Sequence, residues 1–577
     1  MHPYFRTMPK LGKALKERAV ARAQSSLASI REVEARLETE AARVEATGSS
    51  TETINARGQM TGRQRLAYLV DEGTWCPLHT LLDPGANAEG TTGVIDGIGR
   101  VGGRWAVVIA SDNTVFAGAW VKGQAENILR VTDLAERLNV PLIWILNCSG
   151  VKLTEQEEVF PDRRGHGAPF YRHARLNQLG VPVLVGIYGT NPAGGGYHSI
   201  SPTVLFAHQD ANFAVGGAGI VGGMSPKGGF DLEGAHEIIE AAGAHRAVPP
   251  GRVEIHHDAT GFIRQVHDTE EGVLDGIKDY VAALPAYRPE FFRVAEPAEP
   301  AFDPEEIPLL VPVDPSVTYD IDQVVARLVD GSEFMEFRPG YGPEIACGLV
   351  KVDGFLLGLV ANRQGFLDPG YPEYADHPGV GGKLYRQGLI KMSEFVTLCG
   401  RDRIPIIWLQ DTSGIDVGDD AEKAELLGLG QSLIYSTQAT DLPMACVVLR
   451  RAHGAAHYVL GGPPAGDNNA FTLGTPATEI QVMHGETAAV AAFSRRLVKE
   501  NEAGRDLQPV IDKMNDLTGR YVDKARPEYA AFRGFVDEIV RFEDLRRYLV
   551  AFANGAYQNP PSICPVHQML TPRLIRG

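Results

Sequence analysis

Four short, small-residue segments that follow apolar runs are the parts of this sequence best suited to chemistry. Two lie in each half of the chain: Ser149-Gly150-Val151, Gly194-Gly195-Gly196, Ser413-Gly414-Ile415 and Gly454-Ala455-Ala456. Small residues allow a ligand to approach backbone N–H groups closely. Two converging N–H groups, one of them at a helix start, form an oxyanion hole that stabilises a carbonyl oxygen gaining negative charge. A tight turn is the alternative for any single segment, but the repeated set favours oxyanion holes.

The elements that must position these segments occur twice along the chain. The apolar run Val140–Leu146 matches Ile404–Gln410 at a shift of 264 residues, and Pro, Trp and Ser-Gly recur at matching places. The stretch Val181–His198 matches Leu442–Tyr458, with Gly195 over Ala455 at a shift of 260. This period is far longer than a solenoid repeat of about 20 to 50 residues. We therefore predict a duplicated domain.

Apolar runs of strand length alternate with helical patterns in each half, which predicts an α/β fold. Residues Leu11–Glu45 carry a helical pattern and predict an N-terminal arm of one or two helices, with a packing or dimerisation role. The Pro- and Glu-rich stretch Pro285–Pro315 predicts the linker. The expected limits are 1–50 for the arm, 51–290 for the first domain, 291–314 for the linker and 315–577 for the second domain.

Composition restricts the classes of partner. The formal net charge of −17 argues against nucleic acid, which requires a basic surface. The six cysteines are scattered without a CxxC motif, so we expect reduced core residues in the cytoplasm. The longest apolar runs have strand length, and the N-terminal segment lacks the apolar region of a secretory signal. Any membrane function therefore requires another subunit.

Several motifs are set aside. Gly97-x-Gly99-x-x-Gly102 and Gly217-x-Gly219-x-x-Gly222 do not open a helix after a strand, so we expect no dinucleotide site. His236-Glu237 and His256-His257-Asp258 lack metal-ligand spacing, so no metal is expected. Lys391-Met392 and Lys513-Met514 lack the frame of a biotinyl-lysine, and no ATP-binding GK[ST] loop is present. Tyr197-His198 and His457-Tyr458 lie beside two of the four small-residue segments, which are called donor segments below. These side chains either contact reacting groups or serve only in the packing of the protein.

Four long stretches carry a resemblance to a known family: GIYGTNPAGGGYHSISPTV, QDTSGIDVGDDAEKAELLGLGQSLIYS, GKLYRQGLIKMSEFVTLC and AYQNPPSICPVHQM. The chain resembles the biotin-dependent acyl-CoA carboxyltransferases of the crotonase fold and, almost end to end, the alpha subunits of glutaconyl-CoA decarboxylases. The resemblance implies two tandem crotonase-like (ClpP/crotonase) β-β-α superhelix domains. It also implies transfer of the distal carboxylate of glutaconyl-CoA to biotin, which yields crotonyl-CoA.

The resemblance implies a role for each donor segment. Catalytic residues would be Val151, Gly194, Gly195, Ile415, Gly454 and Ala455. Val151, Gly195 and Gly196 would hold the acyl-CoA thioester, with Arg163 and Arg164 as candidates for the coenzyme A phosphates. Ile415, Ala455, Ala456 and Tyr458 would hold the ureido group of biotin. Distant carboxylases of this fold tend to carry Gly-Gly-Ala where this chain has Gly454-Ala455-Ala456, which still leaves an N–H donor.

The implied partners are a biotin carrier subunit, a membrane sodium-pump subunit and further copies of this chain. The active site would lie between domains of two protomers, so at least a homodimer is expected. The complex would serve glutamate fermentation at the inner face of the membrane. The alternative is the carboxyltransferase subunit of an ATP-driven acyl-CoA carboxylase, for instance one acting on methylcrotonyl-CoA. A non-catalytic acyl-CoA scaffold and a simple enoyl-CoA hydratase fit the second donor pair poorly.

Overall fold

The computed structural model describes residues 8–159, 163–199, 203–217, 232–284, 288–367, 379–462 and 468–559. Its α-helices are α1 (Glu17–Glu45), α2 (Thr51–Asn55), α3 (Gly62–Leu69), α4 (Gln124–Leu138), α5 (Gln156–Val159), α6 (Ala168–Gln178), α7 (Gly194–Tyr197), α8 (Leu232–Ala247), α9 (Glu270–Ala282), α10 (Ile321–Val325), α11 (Arg386–Asp402), α12 (Asp419–Lys423), α13 (Leu426–Thr440), α14 (Gly454–Val459), α15 (Gly485–Glu502), α16 (Gln508–Lys524), α17 (Pro527–Arg533) and α18 (Leu545–Gln558).

The strands are β1 (Cys76–Leu78), β2 (Val94–Val101), β3 (Arg104–Ser111), β4 (Leu142–Leu146), β5 (Val183–Ile187), β6 (Thr190–Pro192), β7 (Val204–His208), β8 (Asn212–Ala214), β9 (Gln265–His267), β10 (Met335–Glu336), β11 (Ile345–Val352), β12 (Phe355–Asn362), β13 (Lys383–Leu384), β14 (Ile406–Thr412), β15 (Gly414–Ile415), β16 (Met444–His453), β17 (Asn469–Gly474), β18 (Glu479–Gln481) and β19 (Glu538–Ile539). The chain divides into two compact units, Glu40–Pro289 with Tyr557–Gly577 and Met1–Thr39 with Glu290–Ala556.

The first of these units contains a seven-stranded sheet in the order β1-β2-β3-β4-β5-β7-β9. Strands β1 to β3 are antiparallel, and the remaining strands pair in parallel. Every residue of β4 and β5 is buried, as their continuous apolar sequences predict for central parallel strands. Strands β6 and β8 form a separate parallel pair, which leads directly into the short helix α7.

The second unit repeats this arrangement with the strand order β10-β11-β12-β14-β16-β17-β19. Here the long strand β16 continues beyond the main sheet and pairs with β18, in the place that β6 and β8 occupy in the first unit. Its central strands are again buried along nearly their whole length. Helices α11 and α13 pack beside one another on this sheet, and both contribute apolar side chains to its core.

The strand registers confirm the predicted duplication. Leu142 of β4 pairs with Val183 of β5, and Ile406 of β14 pairs with Met444 of β16. The helices before these strands also end alike, at the left-handed residues Asn139 and Arg403, with φ values of 51° and 53°. A left-handed residue closes each helix, and the Pro two residues later prevents its continuation. Both halves therefore carry one local folding pattern.

The expectations outside the two sheets have mixed outcomes. The predicted helical arm is confirmed as one helix, α1. The predicted linker contains two 3-10 turns, Pro289–Phe292 and Pro304–Leu309. Five cysteines are buried and unbridged, whereas Cys564 lies outside the described residues. The domain limits given above remain predictions. Among the described helices, none is long and apolar enough to cross a membrane.

Candidate functional site

The first donor segment is held by a short parallel bridge. Trp120 N donates to the Gly150 carbonyl at 2.8 Å, and Lys152 N donates to the Trp120 carbonyl at 3.0 Å. These two bonds lie on either side of Val151, which is the bridge partner of Trp120. In a parallel bridge the enclosed residue keeps its own N–H on the opposite side. The Val151 N–H is therefore directed away from Trp120 and is available to a ligand.

The second donor segment of the first half begins helix α7. Its first N–H groups lack intrahelical acceptors, as at every helix N-terminus. A Cβ atom added at Gly195 would lie only 2.6 Å from the Cys148 carbonyl oxygen, so this close approach requires glycine. Cys148 N in turn donates to Asn191 Oδ1 at 2.7 Å. These contacts bring together the two segments that were predicted to form one oxyanion hole.

The second half repeats the arrangement. Leu384 of β13 pairs with Ile415 of β15, and Asp416 N donates to the Leu384 carbonyl at 3.1 Å. Leu384 thus takes the place of Trp120, and Ile415 takes the place of Val151. Helix α14 packs against strand β15. The segments around Ile415 and Gly454–Val459 therefore also converge.

One predicted correspondence is wrong by a single residue. Because Val183 matches Met444 in the strand register, position 195 matches position 456, at a shift of 261 rather than 260. Ala193 and Gly454, which occupy matching positions, both have positive φ, 48° and 57°. Sequence similarity placed glycine over glycine, whereas the backbone places the left-handed residues together. Ala456, and not Ala455, is the structural counterpart of Gly195.

The corrected register also changes the neighbouring pairs. Tyr197 matches Tyr458, and these side chains are 42% and 51% exposed. His198 matches Val459, and both are buried. The predicted match of Tyr197-His198 with His457-Tyr458 is therefore wrong. The two tyrosines are the exposed aromatic side chains of helices α7 and α14.

A polar side chain lies beneath the donor segments of the second half, where the first half has an apolar one. In the second half, Gln410 Nε2 donates to the carbonyls of His457 and Leu460 at 3.0 and 2.7 Å, and its Oε1 lies 2.9 Å from His457 Nδ1. The matching first-half residue is the apolar Leu146. Burial lowers the pKa of His457 to about 4, so this imidazole is neutral. Gln410 therefore fixes the helix that carries Ala456 without adding charge.

An ion-pair cluster is centred on Asp411, the residue that follows Gln410 in the second half. Asp411 is buried and accepts from Arg450 Nε at 2.9 Å and from Arg451 Nε at 3.0 Å. Arg450 also donates to the backbone carbonyls of Asp314 and Val317. Sequence reasoning missed this cluster because DTSGI was interpreted only for its backbone. Consecutive arginines at the end of an apolar strand were the available signal.

Buried aromatic and histidine rings lie beside the donor segments of the first half. The ring of His166 stacks on Trp120 at 4.4 Å, and that of His198 lies 4.3 Å from Trp144. Burial lowers the pKa values of His166 and His173 to about 4, and it holds that of His198 well below the ordinary range. These neutral rings lie behind helix α7. Sequence reasoning noted only His198, because the others are scattered along the chain.

The remaining predicted residues have these positions. Arg164 is exposed and donates to Glu126 Oε2 at 2.7 and 2.9 Å, and Arg163 is exposed. Gly97 and Gly99 lie within strand β2, and Gly102 lies in the following turn, so the first GxGxxG belongs to a hairpin and does not open a helix. In the second GxGxxG, Gly219 and Gly222 lie outside the described residues.

The discounted histidines and lysines lie in packing or surface positions. His256 stacks on Phe213 at 3.8 Å, and His257 bonds to its exposed neighbour Asp258. His236 is exposed on helix α8. The fully buried Lys391 side chain donates to the Ile345 carbonyl at 2.8 Å. A lysine held in this way is inaccessible to a biotinylating enzyme.

Comparison with known proteins agrees with this architecture. The family described as "Carboxyl transferase domain" matches residues 54–570. The glutaconyl-CoA decarboxylase subunit alpha of Acidaminococcus fermentans is 57% identical over 100% of this chain and 98% of its own length. The biotin-dependent 3-methylcrotonyl-coenzyme A carboxylase beta1 subunit of Mycobacterium tuberculosis is 28% identical over 85% of this chain and 87% of its own length.

A solved structure shows the same fold. The beta subunit of the P. aeruginosa geranyl-CoA carboxylase superposes with a TM-score of 0.76 at 23% identity, covering 97% of this chain and 100% of that chain. The predicted α/β fold with two crotonase-like domains is confirmed by this match and by the repeated sheets. With two copies of the donor geometry, and a family match over most of its length, the chain belongs to the carboxyl transferase domain family.

Proposed function

We propose that this chain is the carboxyltransferase subunit of a biotin-dependent decarboxylase whose substrate is glutaconyl-CoA. The observation that carries the proposal is 57% identity, over the whole chain, to a glutaconyl-CoA decarboxylase subunit alpha. The paired donor segments supply the chemistry that such a reaction requires. The reaction exchanges the distal carboxylate of the thioester for a proton, and the product is crotonyl-CoA.

The first half binds the acyl-CoA. Loss of the distal carboxylate leaves a carbanion conjugated to the thioester, so negative charge collects on the thioester oxygen. The N–H groups of Val151 and Gly195 stabilise that oxygen, with Gly194 and Gly196 leaving room for the ligand. The neutral imidazoles behind α7 keep the surroundings uncharged. Arg163 and Arg164 are exposed and are the candidates for the coenzyme A phosphates.

The second half binds biotin, which is carried on another subunit and accepts the carboxyl group at a ureido nitrogen. Ile415 N–H is the first donor to the ureido oxygen. Its partner is Ala456 N–H by the strand register, and Ala455 N–H is the alternative. Gly454 supplies the left-handed turn that begins the helix, with φ 57°. A ring carried by a separate subunit fits here because Ala455 and Tyr458 are exposed.

The proposal includes an assembly. A biotin carrier subunit and a membrane sodium-pump subunit are the expected partners, together with at least one further copy of this chain. The acyl-CoA half of one copy would face the biotin half of another. The complex would lie on the cytoplasmic face of the membrane and serve glutamate fermentation. Light scattering of the purified chain tests whether it forms at least a dimer. A catalytically active monomer would contradict the site shared between two copies.

The decisive assay uses the purified chain, free biotin and a panel of CoA esters. We expect biotin-dependent formation of crotonyl-CoA from glutaconyl-CoA. The alternative is the carboxyltransferase of an ATP-driven carboxylase, which the 28% identical relative represents. That alternative predicts transfer between carboxybiotin and methylcrotonyl-CoA, with glutaconyl-CoA unchanged. This second pattern would overturn the proposal.

A further inference from the structure

We propose that His453, Glu479 and His484 form a binding site for a divalent zinc ion. Among the residues that the structure describes, these three are the one group of histidine, cysteine and carboxylate side chains arranged for a shared ion. One ligand atom from each lies within 4.8 Å of the others. None of the three residues is itself a proposed donor, and the argument for the site does not depend on the proposed reaction.

The distances fit a small metal ion. His453 Nε2 lies 3.1 Å from Glu479 Oε1, and His484 Nδ1 lies 3.7 Å from the same oxygen. In a tetrahedral zinc site with bonds of about 2.0 to 2.2 Å, ligand atoms are separated by about 3.3 to 3.6 Å. Small rotations of the three side chains would therefore place them around one ion. The two imidazole rings, 4.5 Å apart and nearly perpendicular, do not block one another.

Ordered backbone elements hold two of the ligands. His453 is the last residue of β16, and Glu479 is the first residue of β18, which pairs with β16 in parallel. His484 directly precedes helix α15 as its N-cap residue. The His453 side chain is 1% exposed, whereas that of His484 is 43% exposed. An ion can thus enter from the His484 side, where water completes the coordination.

Charges of both signs lie near the three residues, and the carboxylate of Glu486 acts on His484. Arg451 is a neighbouring cation, since its residue pairs with Glu479 in the strand register. Its guanidinium, however, is bound to Asp411 Oδ1 at 3.0 Å and to Gln364 Oε1 at 3.0 Å. These two acceptors are not Glu479, whose carboxylate lies beside the two histidines instead. Two imidazoles and one carboxylate favour zinc, cobalt or nickel over magnesium or calcium, which prefer oxygen ligands.

An ion at this location would affect the stability of the fold. His453 is followed directly by Gly454, where helix α14 begins. An ion bound there would join the end of β16, strand β18 and the start of α15 in one cluster. Binding to the folded state alone raises thermal stability. A bound ion should therefore raise the melting temperature of the protein.

The test uses the full chain, free of affinity tags and stripped of metal by a chelator. Calorimetric titration with zinc should show one site per chain, and magnesium should give no heat of binding. His484→Gln and Glu479→Gln should each weaken zinc binding at least about tenfold, because each removes one of three ligands. His257→Gln is the matched control, since His257 is equally exposed and pairs with Asp258 without a third ligand.

Thermal melting gives the second readout. Zinc should raise the melting temperature of the parent and of His257→Gln, but not of the two ligand variants. Cobalt should give the visible absorption of a tetrahedral site only in the parent and the control. The proposal is overturned if the parent binds no zinc. It is equally overturned if all variants bind zinc with the same affinity, because the three residues are then not the zinc ligands.

Discussion

The two halves of this chain hold the same backbone geometry with different side chains. Beneath the first pair of donor segments lie Leu146 and Asn147, together with neutral aromatic and imidazole rings. Beneath the second lie Gln410 and the buried Asp411 with its two arginines. After duplication, the strand register and the left-handed turn stayed fixed. We infer that the N–H donors depend on that backbone, while the supporting side chains were free to diverge.

The largest expected effect concerns Gly195. Gly195→Pro removes the proposed donor, and the loss of one oxyanion donor lowers turnover about 10²- to 10³-fold. Gly195→Ala should also be severe, because its Cβ would meet the Cys148 carbonyl at 2.6 Å. Ala456→Gly, at the matching position, should change the rate of glutaconyl-CoA decarboxylation less than about tenfold. Near-parent rates for folded Gly195→Pro would contradict the first oxyanion hole.

The second prediction separates the two candidate donors of the biotin half. Ala456→Pro should lower the decarboxylation rate about 10²-fold, while Ala455→Pro should have a much smaller effect. A proline within the first turn of a helix removes no intrahelical hydrogen bond, so both variants should fold. Circular dichroism checks the fold, and acyl-CoA affinity should stay at the parent value. The reverse order of the two rates would restore Ala455 as the donor.

The third prediction concerns the charged support of the second half. Asp411→Asn leaves the buried Arg450 and its neighbour Arg451 without their shared carboxylate. Breaking a buried ion pair costs about 3 to 5 kcal/mol. Denaturant unfolding should show this loss. Asp402→Asn, which breaks an exposed pair with Arg401, should lower the free energy of unfolding by less than about 1 kcal/mol. Equal losses in the two variants would contradict a special role for the buried cluster.

The smallest effect concerns the neutral imidazoles of the first half. Burial lowers the pKa of His173 to about 4, below its value of about 6.5 in the unfolded chain. The unfolded state therefore binds more protons between these values, so the stability falls as the pH falls through this range. His173→Phe should reduce the loss in denaturant midpoint between pH 7 and pH 5. An unchanged loss would contradict this, and exposed His236→Gln serves as control.

The sequence predicted the parts of the fold that depend on local pattern. Continuous apolar runs such as the one that contains Val183–Ile187 indicated strands of an α/β fold, and small residues after them indicated the turn where helix α7 begins. The duplicated order of these runs indicated two like domains. Each of these signals is a short run of residues or a comparison of such runs along the chain, so no tertiary information was required.

Only the tertiary structure showed which residues of the two halves correspond and which distant side chains lie together. Ala193 adopts a positive φ that its sequence does not signal, so only the strand register could place Ala456 opposite Gly195. His453 and Glu479 meet because β16 pairs directly with β18, although β17 lies between these two strands in the sequence. Parallel pairing joins residues far apart in sequence, and no spacing rule predicts which side chains it brings within ligand distance.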